Sequence, residues 1–191
     1  MKRKTGMFIA LIIVGAFILA IGADICITFI GKQIYPLKYE NHVEKYATEY
    51  NVPESIVYAV IKTESDFDPD AVSSAGAIGL MQMLPDTFTW LSSSEHLDEN
   101  LAVASLYEPE VSIKYGVYYL KYLHEKFQNW DTVVAAYNGG EGNVAEWLEN
   151  PKYCDNNGDL NTKKIPFSET KSYSHKVTIA KNFYERTYNK K

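Results

Sequence analysis

Apolar residues open this chain as a continuous block and then settle into helical spacing. The block carries no charge from Met7 to Ala23, and after Asp24 the apolar character resumes from Ile25 to Ile30. As a helix the first stretch reaches ~25 Å, just short of a ~30 Å hydrocarbon core. With Asp24 at the far interface, Ile25 to Ile30 supply the remainder. Lys2, Arg3 and Lys4 precede the block, and a positive cluster is expected to stay cytoplasmic and leave the rest of the chain outside. A cleaved signal peptide is the competing reading, with its apolar core ending near Ala20 to Ala23. The run is long for that, and Ile21 is a poor small residue two positions before Ala23. Either way the following domain is exported.

Beyond Ile30 the pattern changes. Lys32 to Lys38 reads as a linker around Pro36. Tyr39 to Tyr50 has helical spacing through Val43, Tyr46, Ala47 and Tyr50. Pro53 suits a helix start, and the helix carrying Ile56 to Glu64 cannot pass Pro69. Pro85 is expected to open a short helix, and Ser92 to Glu99 a loop. Pro109 to Phe127 is the clearest amphipathic helix, with Ile113, Gly116, Val117, Leu120, Leu123 and Phe127 on one stripe. Asp131 is expected to cap a helix of Thr132 to Tyr137 that Gly139-Gly140 ends. Val144 to Leu148 reads as another short helix. Ser168 starts a last one, with Tyr173, Val177, Ala180 and Tyr184 along one side. Sustained period-two alternation is missing throughout. The expectation is an all-α domain at 39–191, behind an anchor at 1–31 and a linker at 32–38.

One carboxylate breaks the pattern. Val57, Val60 and Ile61 lie at i, i+3 and i+4 of a helical stripe, and Glu64 falls at i+7. A carboxylate on an apolar face loses hydration, which raises its pKa. The nearby helix C-terminus also opposes negative charge. Those are the conditions for a general acid still protonated near neutral pH. The segment that follows, with Ser73, Ser74, Gly76, Gly79 and a polar Gln82 in an apolar run, suggests a loop built around a groove.

Composition narrows the partners. The net charge is −5, and removing Lys2, Arg3, Lys4 and Asp24 (+3 and −1) leaves −7 for the exported part. With no basic stripe, nucleic-acid binding is not expected. The 15 tyrosines suit a sugar-binding groove, although they equally cover the core of a helical domain. Cys26 and Cys154 have such different contexts that no disulfide between them is expected, and they make no metal site. Asp155, Asn157 and Asp159 hint at a calcium loop. The required glycine and distal Glu are out of register, so a solvated loop is expected. No cofactor and no metal are called for.

Four blocks, in order, carry a family resemblance: Glu64-Ser65; Gly76-Ala77-Ile78-Gly79-Leu80-Met81-Gln82; Ala136-Tyr137-Asn138; and Glu169-Thr170 with Tyr173 and Lys176-Val177. Together they resemble the catalytic domain of the soluble lytic transglycosylase family, a lysozyme-like helical fold that cleaves peptidoglycan. The resemblance implies Glu64 as the single catalytic carboxylate, beside Ser65, with Ser73 near the site. It implies that Met81 and Gln82 line the groove, Gln82 bonding to sugar, that Tyr137 and Asn138 shape the floor, and that Tyr173 hydrogen-bonds Glu64. Gly139 departs from the family's usual alanine, which is expected to loosen the turn after Asn138.

The implied reaction cuts the β-1,4 bond between N-acetylmuramic acid and N-acetylglucosamine and closes a 1,6-anhydro ring. Ordinary glycosidases use two carboxylates. Asp66, Asp68, Asp70 and Asp86 are available, but none sits where the family would use a second. A muramidase hydrolase and a catalytically silent peptidoglycan-binding protein are the alternatives. The expected partners are peptidoglycan glycan strands and, through the N-terminal helix, the membrane.

Overall fold

The computed structural model describes residues 2–93 and 95–188, with side chains from residue 13 onward. The side chains of Lys2, Arg3 and Lys4, Ser94 within the expected 92–99 loop, and the last three residues of the 39–191 domain lie outside the described ones. The chain divides into two units, Met1–Pro36 and Leu37–Lys191.

The first unit is one helix, α1 (Lys2–Ile34). Phe17, Leu19, Ile25 and Phe29 all lie exposed on it. A helix that is apolar all round suits an apolar surrounding rather than water. Its segment Ile13–Ile34 is long and apolar enough to cross a membrane. The helix continues through Lys32, so the first residues of the expected linker are helical.

The second unit is all-α: α2 (Glu40–Tyr50), α3 (Glu54–Glu64), α4 (Pro85–Leu91), α5 (Pro109–Phe127), α6 (Trp130–Gly139), α7 (Glu141–Leu148) and α8 (Ser168–Tyr188). Extended pairing among the described residues is confined to isolated bridges, two of them in the loop before α4. The helix α3 packs mainly on α8 and also on α2, while α5 packs between α2 and α6. Every residue from Ser55 to Ile61 is buried, so α3 is enclosed nearly all round rather than on a single stripe. On α8 the expected set Tyr173, Val177, Ala180 and Tyr184 is buried against it. Tyr184 stacks on Tyr58 of α3 at 5.2 Å between ring centroids.

Two local readings are corrected. The helix α6 begins at Trp130, two residues before the expected start, and its cap is Asn129 rather than Asp131. The Asn129 Oδ1 accepts from the backbone N–H groups of Asp131 and Thr132 at 3.0 and 3.1 Å, the usual reach of an N-cap side chain. Gly139 also plays a different part from the one expected. It is the last residue of α6, and the turn falls at Gly140, whose φ is +84°. A Cβ at Gly139 would lie 3.0 Å from the Thr170 side chain. The glycine therefore lets the end of α6 sit close against the start of α8.

Candidate active site

The end of α3 carries Glu64 to a cleft, and the chain then turns sharply. Asp66 and Phe67 both adopt left-handed backbone, with φ of 54° and 66°. Such a conformation costs about 1–3 kcal/mol for a residue with a side chain and persists only where its surroundings enforce it. The enforcement is visible. Phe67 is buried against Tyr58, and Lys62 forms an ion pair with Asp66.

The loop that follows folds back on itself around two glycines and a serine. Ser73 and Ala77 close a turn: the Ser73 N–H donates to the Ala77 carbonyl and the Ala77 N–H to Ser73 Oγ, both at 3.0 Å. The Gly79 N–H donates to the Ala71 carbonyl at 2.9 Å. Gly79 itself has φ of +79°, and a Cβ there would lie 2.1 Å from the Leu106 carbonyl oxygen. Only glycine fits. Ser65 Oγ donates to the Leu80 carbonyl at 2.8 Å, tying the residue after Glu64 to the loop. The Met81 N–H donates to Ser112 Oγ on α5. Tyr137 Oη, from α6, donates to the Met81 carbonyl at 2.8 Å.

These elements enclose a cleft of about 330 Å³ lined by, among others, Glu64, Ser73, Gln82, Thr87, Tyr119, Tyr137, Asn138 and Glu169. Of the expected site residues, Glu64, Ser73, Gln82, Tyr137 and Asn138 thus meet at one place. Three take different positions. Ser65 sits behind the acid as a tether. Met81 is fully buried, and its side chain packs on Gly116, where a Cβ would lie under 3 Å away. It supports the floor and does not line the groove. Tyr173 is buried on α8. Gln82 lines the cleft, but its Nε2 already donates to the Ala71 and Gly79 carbonyls at 3.0 Å each. Only its Oε1 is left to accept from a ligand.

The electrostatics single out Glu64. Its carboxyl is pushed up to about 7, first by burial, which disfavours the charged form, and further by the charge of Glu169. Tyr173 opposes both, holding the value down through its hydroxyl. That contact is loose: among the described residues the Tyr173 hydroxyl is a buried polar atom without a hydrogen bond of standard geometry. Burial raises both Tyr137 and Tyr173 well above the ordinary tyrosine range, so both stay neutral donors.

Two cleft residues escape sequence reasoning. Glu169 starts α8 in the block that carries Tyr173, yet only the packing of α8 on α3 brings its charge to Glu64. Tyr119 comes from α5 at the edge of the apolar stripe, three residues after Gly116 and four before Leu123, so its spacing reads as core and gives no sign of a cleft. In the 155–159 segment, Asp155 Oδ1 accepts from the N–H groups of Asn157 and Asp159 at 2.8 and 3.1 Å. That carboxylate serves its own loop. Among the described residues no group of three or more acidic, histidine or cysteine side chains is placed to hold a metal.

The arrangement offers one carboxyl raised to about 7, with Glu169, neutral phenols and an amide beside it in the cleft. Comparison with known proteins agrees. Residues 41–159 match the model of the transglycosylase SLT domain. The chain is 32% identical over 155 residues to the soluble lytic murein transglycosylase of Escherichia coli K12, covering 78% of this chain and 23% of that protein. It is 32% identical over 172 residues to the membrane-bound lytic murein transglycosylase C of Salmonella paratyphi B, covering 78% of this chain and 47% of that one. The crystal structure of the 70 kDa soluble lytic transglycosylase from Escherichia coli superposes with a TM-score of 0.75 at 32% identity, over 82% of this chain and 25% of that chain. The lytic transglycosylase Slt of Pseudomonas aeruginosa gives 0.73 at 30%, over 81% and 25%. The chain thus spans about a quarter to a half of the relatives it matches. Its helical fold is the lysozyme-like one of those structures, and the chain belongs to the transglycosylase SLT domain family.

Proposed function

We propose that this protein is a peptidoglycan lytic transglycosylase in which Glu64 acts first as acid and then as base. The observation that carries the reading is a half-buried carboxyl, raised to about 7 by burial and by the charge of Glu169, at the head of a cleft whose other lining groups are mainly neutral donors and acceptors. Protonated Glu64 donates to the glycosidic oxygen between N-acetylmuramic acid and N-acetylglucosamine. Positive charge develops at the muramic anomeric carbon, stabilised by the substrate's own N-acetyl group. The carboxylate left on Glu64 then takes the proton of the C6 hydroxyl, whose oxygen bonds to the anomeric carbon. The ring closes and no water is consumed. Tyr137 and Asn138 form the floor, Gln82 Oε1 accepts from a sugar hydroxyl or amide, and Tyr173 steadies Glu64. The relatives named lytic murein transglycosylases support this, as does the solved complex of the Escherichia coli enzyme with bulgecin A.

Glu169 favours a second reading. It lines the same cleft as Glu64, and two carboxylates are what a hydrolytic glycosidase uses. Mass analysis of the sugars released from purified wall separates the two. Transglycosylation gives 1,6-anhydromuropeptides, and hydrolysis gives reducing ends 18 mass units heavier, the ~18 Da of one added water.

The helix α1 is proposed as a single-pass anchor with Lys2, Arg3 and Lys4 inside and Glu64 outside. Protease added to wall-stripped cells should then digest the domain. Protection of the domain would reverse the orientation, and recovery of a free exported form would favour signal cleavage.

A further inference from the structure

Two helices that line the cleft continue past it with aromatic rings. On α4, Thr87 lines the cleft and Trp90 follows at i+3, the spacing that places two side chains on one helix face. On α5, Tyr119 lines the cleft and Tyr122 follows at i+3. The two followers meet, with ring centroids 4.9 Å apart and planes at 81°. Tyr119 stacks on Tyr122 at 6.2 Å and touches Tyr137 of the cleft floor at 5.4 Å. One aromatic surface therefore runs from the floor of the cleft out to Trp90.

Packing alone does not explain Trp90. The core side of α4 is filled by Phe88 and Leu91, both fully buried, while Trp90 is 37% exposed. Its indole packs against His96 in a T-shaped contact, with ring centroids 4.3 Å apart. Glu141 reaches the Tyr122 side chain and pairs with Lys126 at 3.2 Å, which places polar groups beside the rings. Rings with polar neighbours suit a ligand that is apolar on its faces and polar at its edges, which describes a pyranose.

We propose that Trp90 and Tyr122 form a shelf that binds sugars of a glycan strand outside the cleft, beyond the bond that Glu64 cuts. The inference rests on the glycan-cleaving reading above. It predicts affinity that grows with strand length until the strand extends past the cleft onto the shelf.

The test uses the full chain in detergent micelles, carrying Glu64→Gln so that strands persist. Trp90→Ala should weaken binding of long glycan strands about five- to tenfold, the scale of one lost aromatic contact. It should leave binding of a disaccharide unchanged, and Trp90→Phe should restore most of the loss. A second measurement leaves the shelf intact. With 5-fluorotryptophan in place of the 3 tryptophans, the fluorine line that Trp90→Phe removes should shift with long strands and stay still with the disaccharide. Long strands that bind without moving that line would overturn the shelf and leave the cleft reading standing. Failure of both oligosaccharides to bind would remove the glycan reading, and the shelf with it.

Discussion

The two walls of the cleft are built on opposite principles. In the wall formed by residues 65–84 the polar groups are largely used up. Ser65, Ser73 and Gln82 each spend their side-chain bonds on backbone of the same segment. The wall formed by the end of α3 and the start of α8 leaves its groups in tension. Glu64 is buried enough to resist ionisation, Glu169 adds a like charge, and the Tyr173 hydroxyl lacks a well-formed partner. The first wall holds a shape and the second holds a reactive group. A catalytic carboxyl needs both, since desolvation raises its pKa only while the surrounding wall stays in place.

The largest expected effect comes from removing the tense group. Glu64→Gln should reduce release of anhydromuropeptides by about 10⁴-fold, the upper end for general acid–base catalysis, because one residue serves both steps. It should also stabilise the fold in a pH-dependent way. Below about pH 4.5 the native carboxyl is protonated in folded and unfolded chain alike and costs nothing. As pH rises through about 7 it ionises in the folded state too and carries the full desolvation penalty. Thermal melts of the variant should thus match the native protein near pH 4 and exceed it above pH 7. Identical melts at pH 8 would show that Glu64 is solvated.

Breaking the satisfied wall should instead cost stability first. Gly79→Ala forces a Cβ onto the Leu106 carbonyl at a left-handed φ, and about 3 kcal/mol or more should be lost, by strain and overpacking together. Chemical denaturation measures it, and a loss under ~1 kcal/mol would mean that the loop is not held as described. Ser65→Ala is milder. It leaves the Leu80 carbonyl without its hydroxyl donor, and about 1 kcal/mol is expected.

The finest distinction lies within the tense wall, where two substitutions should act with opposite sign. Glu169→Gln removes a like charge, eases ionisation of Glu64 and moves the alkaline fall of activity to lower pH. Tyr173→Phe removes the one influence that holds Glu64 down and moves that fall to higher pH. Rate profiles between pH 5 and 9 read both, and shifts in the same direction would contradict the electrostatic account.

What was legible in the sequence follows the same division. Local periodicity places α5 at Pro109–Phe127, as observed, and puts Glu64 at the end of a buried helix. The blocks supply Gln82, Tyr137 and Asn138 to one cleft, and Ser73, which lies between the first two blocks, joins them. Periodicity says nothing about which loop residue faces in, so Met81 was expected in the groove. It is buried because Gly116 on a distant helix opens a space for it. Glu169 and Tyr119 were missed for a related reason: their places are set by the packing of α8 on α3 and of α5 on α6. The cap on α6 was misassigned by two residues, because Asn129 and Asp131 both suit an N-cap and only the fold selects between them.

The central claim is that burial raises the Glu64 carboxyl to about 7, so that a large share is still protonated at neutral pH. It is tested most directly by titrating its carboxyl carbon by ¹³C NMR in the full, unmutated chain labelled at glutamate, with Glu64→Gln identifying the resonance. A midpoint near 7 is predicted, and a midpoint near the ordinary glutamate value of ~4.3 would contradict the account.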